Sequence, residues 1–255
     1  MQITKSNERT LTYVRALVHG DSGVGKTTSI GTLPEKHTLV AVAERSIVPL
    51  RNKAFPVAQM DDWGALRTLV GELRKPFEVD GNEIRVLVLD SLTATSDLCK
   101  RQIIEVDRRA LTAERTKDKT DRPIGIYNDL MTMEDWGLYA ARMHGLVSAL
   151  CHLPMHVIVT ALSGRIENKK TGGVWTTVNL QGRFTWECPS LFDEVFSMES
   201  TTDTEGNPCR VWRTQHSNDT IAKDASGALD PFEHTNWTAV LKKIMGETNG
   251  KKGKQ

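Results

Sequence analysis

The sequence is poor in cysteine, and the cysteines that it has are far apart. They are Cys99, Cys151, Cys188 and Cys209. Disulfide frameworks and structural zinc sites usually bring cysteines together in closely spaced pairs such as C-x-x-C, and this chain has no such pair. We therefore expect reduced thiols, with neither a zinc site nor a disulfide framework.

An excess of one charge sign and a long apolar run are also absent. The chain has 33 Lys and Arg against 32 Asp and Glu, so no global field attracts nucleic acid, and such binding would need a local patch. No apolar run has the length of a membrane-spanning helix. The first ten residues, MQITKSNERT, lack the apolar core of a signal peptide. These absences predict a cytoplasmic protein with no membrane partner.

The remaining composition is that of an ordinary globular chain. Of its 255 residues, 39% are hydrophobic and 25% are charged. This length suits one domain, which we expect to span residues 1–245. Residues 246–255 are polar and rich in lysine, and we expect them to form a disordered tail.

A glycine-rich segment, Gly20–Thr27, matches the pattern G-x-x-x-x-G-K-[ST] in full. It follows an apolar run, residues 13–19, that predicts a buried strand, and it precedes a helix that starts near Lys26 and ends before Pro34. Glycines let the backbone bring several N–H groups around phosphate oxygens. We predict that Lys26 reaches the β- and γ-phosphates and that the Thr27 hydroxyl binds Mg²⁺. A chance match is the alternative, which the flanking strand and helix disfavour. The predicted nucleotide-binding residues are Gly20, Asp21, Ser22, Gly23, Val24, Gly25, Lys26, Thr27 and Thr28.

Two later strands are predicted to end on carboxylates. The apolar run Thr38–Ala43 is followed by Glu44, which either lies beside the γ-phosphate or is a solvated loop residue; its position alone does not decide. The apolar run Ile84–Asp90 has the pattern of a Walker B strand, whose aspartate completes the Mg²⁺ site opposite Thr27. Since it follows an intact phosphate loop with a strand and a helix between, we take Asp90 as a metal ligand.

Apolar periodicity predicts helices and a further core strand. One helix is capped by Asp61 or Asp62, a second spans Glu134–His152, and the strand Met155–Leu162 follows. A last helix is capped by Asn236. The predicted buried face of the second helix consists of Leu138, Ala141, Leu146, Ala149 and Leu150. Two strands near residues 195–198 and 210–214 are joined by a turn at 203–207.

Two charged stretches are candidates for nucleic-acid contact. Residues 100–122 carry an excess of positive charge, although a solvated helix face is the usual meaning of such a run. Residues 163–182 have the character of a hairpin that contains Arg165, Lys169 and Lys170. Trp175 in this hairpin either stacks on bases or covers the hairpin core, and the sequence favours neither.

The order of these features resembles the RecA-like core, and more closely the short RecA-like ATPases of bacteriophages, including the Sak-type single-strand annealing proteins. The matching segments are Gly20–Thr27, Ala43–Arg45, Val88–Ser91, Trp136–Gly137, His156–Thr160 and Leu191–Val195. The resemblance implies an α/β fold with a RecA-like P-loop NTPase core. In such a core a mostly parallel sheet is flanked by helices, and antiparallel strands follow at the C-terminal end.

The resemblance also implies a function. It implies ATP rather than GTP as ligand, Mg²⁺-dependent hydrolysis with Glu44 as general base beside Lys26, and assembly into a ring or filament. It implies single-stranded DNA as partner in recombination, with a single-stranded-DNA-binding protein as an accessory partner. The predicted DNA contacts are Arg165, Lys169, Lys170 and Trp175.

The chain departs from the family in two places. Leu162 stands where relatives tend to carry a polar sensor of the γ-phosphate, so Thr160 or Ser163 would have to act instead. The segment Lys223–Ala225 lacks an arginine that relatives often place there, so Lys223 or Arg213 is the candidate for a trans-acting cation. Alternative functions are a ring-forming motor, a DNA-binding module that uses ATP as a switch, and, with less support, a small-molecule kinase.

Overall fold

The computed structural model describes residues 13–44, 47–107, 131–167 and 172–246. The strands within these ranges are β1 (Arg15–Gly20), β2 (Thr38–Val42), β3 (Val57–Gln59), β4 (Glu78–Val79), β5 (Asn82–Glu83), β6 (Val86–Asp90), β7 (His156–Glu167), β8 (Val174–Val178), β9 (Glu194–Thr202), β10 (Pro208–Arg213), β11 (Lys223–Asp224) and β12 (Phe232–His234). The α-helices are α1 (Lys26–Ile30), α2 (Trp63–Glu72), α3 (Leu92–Arg101), α4 (Met133–Cys151), α5 (Phe184–Glu187) and α6 (Trp237–Ile244). A π-helical segment, Gln102–Asp107, continues α3.

One large sheet dominates the fold, with strand order β12-β10-β9-β1-β7-β6-β2-β3. The strands from β3 to β9 along this order run parallel, while β10 and β12 are antiparallel to their neighbours. The short β8 pairs antiparallel with β7, and β11 pairs antiparallel with β9. The carboxyl ends of the parallel strands meet at one edge, where ligands bind in open α/β sheets.

Both faces of the sheet are buried, because helices cover each of them. On one face Leu17, Leu89 and Val159 pack with α2, α3 and α4. On the other face Val18 and Val88 pack with α1 and α6. This alternation explains why the central strands read as continuous apolar runs. The predicted fold class, a mostly parallel sheet flanked by helices with antiparallel strands at the C-terminal end, is confirmed.

The predicted helix caps are present. The Asp62 side chain accepts a hydrogen bond from the Ala65 backbone N–H at 2.8 Å and begins α2, so Asp62 rather than Asp61 is the cap. Asn236 caps α6 through the Ala239 N–H at 3.1 Å. The two strands of the hairpin predicted at residues 163–182 are also present, as the antiparallel pair of β7 and β8.

Two details of the sequence interpretation are wrong. Helix α1 ends at Ile30 rather than at Leu33, because the chain turns at Gly31. The predicted buried face of α4 is wrong at Leu138, which is 39% exposed, and at Ala141, which is exposed, whereas Leu146 and Leu150 are buried as predicted. The residues that α4 buries are Tyr139, Met143, Leu146, Val147 and Leu150.

Some predictions concern residues outside the described ranges. Lys169 and Lys170, most of the charged stretch 100–122, Arg45 and nearly all of the tail 246–255 belong to this group. Among the helices that the structure describes, none combines the length and the apolar composition needed to cross a membrane.

A buried carboxyl group lies in β9, beside the central strand β1. Glu194 is 1% exposed, and its Oε1 accepts a hydrogen bond from the Ser226 N–H at 3.1 Å. Its Oε2 has no hydrogen-bond partner in the part of the chain that the structure describes. Burial, followed by the negative charge of Asp224, raises the pKa of Glu194 to about 7.

Glu194→Gln is expected to raise the melting temperature at pH 8 by about 3 °C and to leave it nearly unchanged at pH 5. The pKa of Glu194 in the folded chain lies above the ordinary 4.5. The contribution of the protonated Glu194 carboxyl to the free energy of unfolding is therefore complete below pH 4.5 and is lost as the pH rises through about 7. An amide stays neutral at both pH values. Calorimetry at the two pH values, with Glu72→Gln on the exposed face of α2 as the control, measures the difference. Equal melting temperatures of the wild type and Glu194→Gln at pH 8 would contradict a destabilising negative charge on buried Glu194.

Candidate functional site

The loop between β1 and α1 has the backbone geometry of a phosphate cradle. Gly23 and Gly25 have positive φ values of 76° and 109°, which residues with side chains rarely adopt. At Gly20 an added Cβ would lie 2.9 Å from Val24 Cγ1 and 3.0 Å from the Met198 carbonyl oxygen. The loop therefore needs glycine at these positions, two for conformation and one for space.

Lys26 lies across this loop. Its Nζ donates hydrogen bonds to the carbonyl oxygens of Gly20 and Asp21, both at 2.8 Å, and the residue is 8% exposed. Burial lowers the pKa of Lys26, and the negative charges of Asp90, Glu44 and Asp21 oppose that shift. The ammonium group is thus held at the mouth of the loop among carboxylates.

The Asp90 carboxylate at the end of β6 joins three elements. Its Oδ2 accepts a hydrogen bond from the Thr27 hydroxyl at 2.8 Å, and its Oδ1 accepts one from the Thr160 hydroxyl of β7. Burial raises the pKa of Asp90, while these two hydrogen bonds lower it. The two predicted metal ligands, Thr27 and Asp90, therefore lie together. A hydroxyl and a carboxylate fit Mg²⁺, which prefers oxygen ligands and keeps several waters rather than a full protein cage.

Glu44 follows β2 and is oriented by the residue after Asp90. The Ser91 hydroxyl donates a hydrogen bond to Glu44 Oε1 at 2.7 Å, and the Asp90–Ser91 peptide bond is cis. Register explains the proximity, because Val42 in β2 pairs with Asp90 in β6. Glu44 itself is exposed, so its carboxylate is available to water and ligands.

These side chains share one cavity of about 350 Å³ at the carboxyl edge of the sheet. Its lining residues are Ser22, Gly23, Gly25, Lys26, Thr27, Thr28, Glu44, Pro49, Asp90 and Leu162. Sequence reasoning thus selected side chains that the fold brings together. Of the two substitutes suggested for a polar sensor, Thr160 contacts Asp90, whereas Ser163 contacts His19.

His19, the residue before the loop, connects it to distant segments. Its Nδ1 lies 2.9 Å from Ser163 Oγ and its Nε2 lies 2.8 Å from the Ile221 carbonyl oxygen. Because a carbonyl only accepts, Nε2 carries the proton, and a neutral ring then accepts from Ser163. Burial lowers the pKa of His19, which favours this neutral form.

The hairpin predicted to contact DNA lies beside the loop. Arg165 is exposed, and it borders a second cavity of about 530 Å³ whose wall also includes the loop residues Asp21 to Val24. Trp175 is half-buried, with its ring centroid 5.4 Å from that of His216. Trp175 is therefore neither a freely exposed ring nor a fully buried core residue.

The two candidates for a trans-acting cation differ in their surroundings. Arg213 donates to both carboxylate oxygens of Glu199, at 2.7 and 3.2 Å, and its guanidinium lies 4.6 Å from the centroid of the Phe232 ring. The paired carboxylate raises the pKa of Arg213. Lys223 is half-buried in β11. Arg213 is thus occupied by its own chain in this conformation.

Sequence reasoning missed three contributors to the site. Ser91 follows the Walker B aspartate and could have been proposed to orient Glu44, because strands that end on Glu44 and Asp90 meet at one edge. His19 precedes the loop directly, but its partners Ser163 and Ile221 are far away in sequence. The third, Arg210, has its side chain against Gly25 of the loop and carried no local signal at all.

The glycine-rich loop lies between a buried strand and a helix, and its lysine and threonine face the aspartate of another strand. This arrangement defines a P-loop nucleotide-binding protein. Residues 12–226 match the family model described as an AAA domain. The match covers most of the chain, which therefore belongs to this AAA-domain family of P-loop NTPases. No curated protein sequence matches the chain.

Several solved structures are similar in fold. A RadB recombinase is 14% identical with a TM-score of 0.40, over 79% of this chain and 87% of that one. A KaiC-like protein of Pyrococcus horikoshii OT3 is 13% identical with a TM-score of 0.36, over 78% and 76%. The P4 protein of bacteriophage phi6, in complex with ADP, is 10% identical with a TM-score of 0.31, over 84% and 61%.

Proposed function

We propose that the protein is a Mg²⁺-dependent ATPase. The observation that carries this proposal is the single cavity in which Lys26, Thr27, Asp90 and Glu44 converge. Lys26 supplies a cation that can bind phosphate oxygens, and Thr27 and Asp90 supply two oxygen ligands for a metal. Glu44 supplies a carboxylate that can bind a water molecule. ATP, rather than GTP, is proposed on the resemblance to RecA-like ATPases alone.

Each residue has a distinct task in the proposed reaction. Lys26 and the loop N–H groups hold the phosphates, and Thr27 and Asp90 hold the metal. Bound Mg²⁺ would neutralise charge that develops on the phosphate oxygens. The Glu44 carboxylate orients a water for in-line attack and takes up its proton, while the Ser91 hydroxyl fixes one carboxylate oxygen.

We further propose that the protein binds single-stranded DNA and promotes annealing or strand pairing in phage recombination, as Sak-type proteins do. The position of the β7–β8 hairpin supports this proposal, because Arg165 and the phosphate loop border the same cavity. Arg165 supplies charge for the DNA backbone and Trp175 supplies a ring for stacking. Lys169 and Lys170 belong to the same hairpin in sequence, outside the described residues. We propose one ATPase domain over residues 1–245, assembly into a homo-oligomeric ring or filament, and a single-stranded-DNA-binding protein as an accessory partner.

Filter binding with a labelled single-stranded oligonucleotide tests the DNA proposal. At low salt and with ATP, we expect binding that weakens as salt rises, because phosphate contacts release counterions. Trp175→Ala is expected to weaken binding about tenfold through lost stacking. Arg165→Ala is expected to weaken it and to reduce the salt dependence.

The control for these variants is Arg85→Ala. Arg85 is exposed, is paired with Glu83 at 3.1 Å, and precedes β6 at the opposite edge of the sheet. Circular dichroism verifies that Trp175→Ala is folded. Absence of oligonucleotide binding by the wild type, even at low salt, would overturn the DNA proposal and leave the ATPase proposal intact.

A second candidate is a DNA-binding module that uses ATP as a switch with negligible turnover. Leu162 favours it, because this apolar side chain lines the nucleotide cavity where relatives tend to carry a polar sensor. Phosphate release near background, with intact ATP and DNA binding, would select this candidate. ATP-dependent displacement of an annealed strand would instead indicate a ring-forming motor.

A further inference from the structure

Arg210 lies on a hairpin that extends past the carboxyl edge of the sheet. Strand β9 runs beside β1, with Met198 paired to Gly20 at the start of the phosphate loop. β9 then continues to Thr202, and β10 returns antiparallel to it with Arg210 opposite Ser200. The hairpin of β9 and β10 therefore stands next to the loop, on the side away from β7.

The Arg210 side chain lies against the backbone of the phosphate loop. A Cβ placed on Gly25 would be 3.0 Å from Arg210 Cδ, 3.1 Å from Nε and 3.2 Å from Cζ. The guanidinium group thus covers the glycine that directly precedes Lys26. A side chain at position 25 would displace it, so the glycine also makes room for this arginine.

Arg210 carries a positive charge that no described residue pairs with. Arg210 is exposed, and across the described ranges it has neither an ion pair nor a hydrogen bond. On the same strand, by contrast, Arg213 is paired with Glu199. The guanidinium is thus a cation beside the phosphate loop whose N–H donors stay free for a ligand within those ranges. An anionic ligand held by the loop would pair with this charge.

We propose that Arg210 binds the α- and β-phosphates of the nucleotide, from the side opposite Glu44. This inference rests on the proposed function, in which the loop holds a nucleoside triphosphate. Gly25 belongs to the part of the loop whose N–H groups cradle the α- and β-phosphates, whereas Lys26 reaches the β- and γ-phosphates. The planar guanidinium suits two neighbouring phosphate oxygens.

A contact to the α- and β-phosphates contributes equally to bound ATP and ADP. It therefore supports binding and leaves the chemical step unchanged. Arg210→Ala is expected to weaken the affinity for both ATP and ADP about tenfold, as loss of a partly exposed charge-assisted hydrogen bond would. In turnover, KM rises while kcat is retained. Arg210→Lys keeps the positive charge but lacks the paired N–H donors of the guanidinium, so it is expected to recover part of the nucleotide affinity.

The experiment measures equilibrium binding of ATP with a fluorophore on its ribose, with unlabelled ATP, ADP and adenosine as competitors. The wild type, Arg210→Ala, Arg210→Lys and the control Arg85→Ala are compared, each with its melting temperature. Equal loss for ATP and ADP in Arg210→Ala, with adenosine unchanged, is the expected result.

Other outcomes overturn the inference in distinguishable ways. Unchanged ATP and ADP affinity in Arg210→Ala overturns it while the proposed function stands. A loss for ATP alone assigns the contact to the γ-phosphate, and an equal loss for adenosine assigns it to the nucleoside; either contradicts the α- and β-phosphate contact. Absence of nucleotide binding by the wild type overturns the proposed function together with this inference.

Discussion

Lys26→Ala is expected to lower nucleotide affinity and turnover together, reducing kcat/KM for ATP by about 100-fold or more. Nζ of Lys26 is held by the Gly20 and Asp21 carbonyl oxygens at the loop mouth, where phosphate oxygens would replace or join these acceptors. Its low exposure places the charge in surroundings where an ion contact is worth more than in water. Binding of fluorophore-labelled ATP and phosphate release measure the two effects.

Lys36→Ala is the matched control for Lys26→Ala. Lys36 is exposed and precedes β2, at the edge of the sheet away from the site. We expect it to retain wild-type affinity and turnover. If folded Lys26→Ala bound ATP as the wild type does, the loop would not be the nucleotide site, whatever its sequence pattern.

Glu44→Gln is expected to lower kcat by about 10²- to 10⁴-fold while ATP affinity changes little. The substitution conserves shape, and the Gln carbonyl oxygen still accepts the hydrogen bond that Ser91 donates to Oε1. What it removes is the capacity to take up a proton from the attacking water. Single-turnover phosphate release, with ATP binding measured separately, isolates this step.

Glu72→Gln, in the exposed last turn of α2, changes the same functional group away from the site and is expected to behave as the wild type. Wild-type turnover in Glu44→Gln would remove Glu44 as general base. If wild type and Glu44→Gln both stayed at background, the switch function favoured by Leu162 would replace the ATPase proposal.

The sequence was most informative where function imposes a local pattern. The loop Gly20–Thr27, the strand end at Asp90 and the cap Asp62 each depend on neighbours a few residues away. Their geometry therefore follows from glycine conformations, apolar runs and capping chemistry. The position of Glu44 alone left its role open, and its place at the site was predicted from the resemblance. Parallel strands that align their carboxyl ends account for its closeness to Asp90.

Packing direction was harder to predict, as α4 illustrates. The prediction chose five aliphatic residues and left Tyr139 and Val147 outside the buried face. The fold buries this aromatic ring because its hydroxyl reaches Ser96 at 2.7 Å. A buried tyrosine usually needs such a hydrogen-bond partner, and this one lies on another helix.

Long-range contacts gave no signal in the sequence. Arg210 covers Gly25, and His19 bonds to the Ile221 carbonyl, only because β9 pairs with β1 and brings β10 and the following loop near the phosphate loop. The roles of the site residues stay predictions. So do the DNA contacts, assigned to Arg165, Lys169, Lys170 and Trp175, and the trans-acting cation, assigned to Lys223 or Arg213.

The central position of β1 has a consequence for synthesis of the chain. Arg15 in β1 pairs with Val157 in β7, and Ala16 pairs with Glu194 in β9. A nascent chain therefore carries its phosphate loop for roughly 10 s, at ordinary ribosomal rates, before the first neighbour of β1 has been made. Through that interval the apolar residues of β1 have no sheet neighbour to pair with, and exposed apolar segments of this kind are prone to aggregate. The nucleotide site assembles late, although its signature motif is translated early.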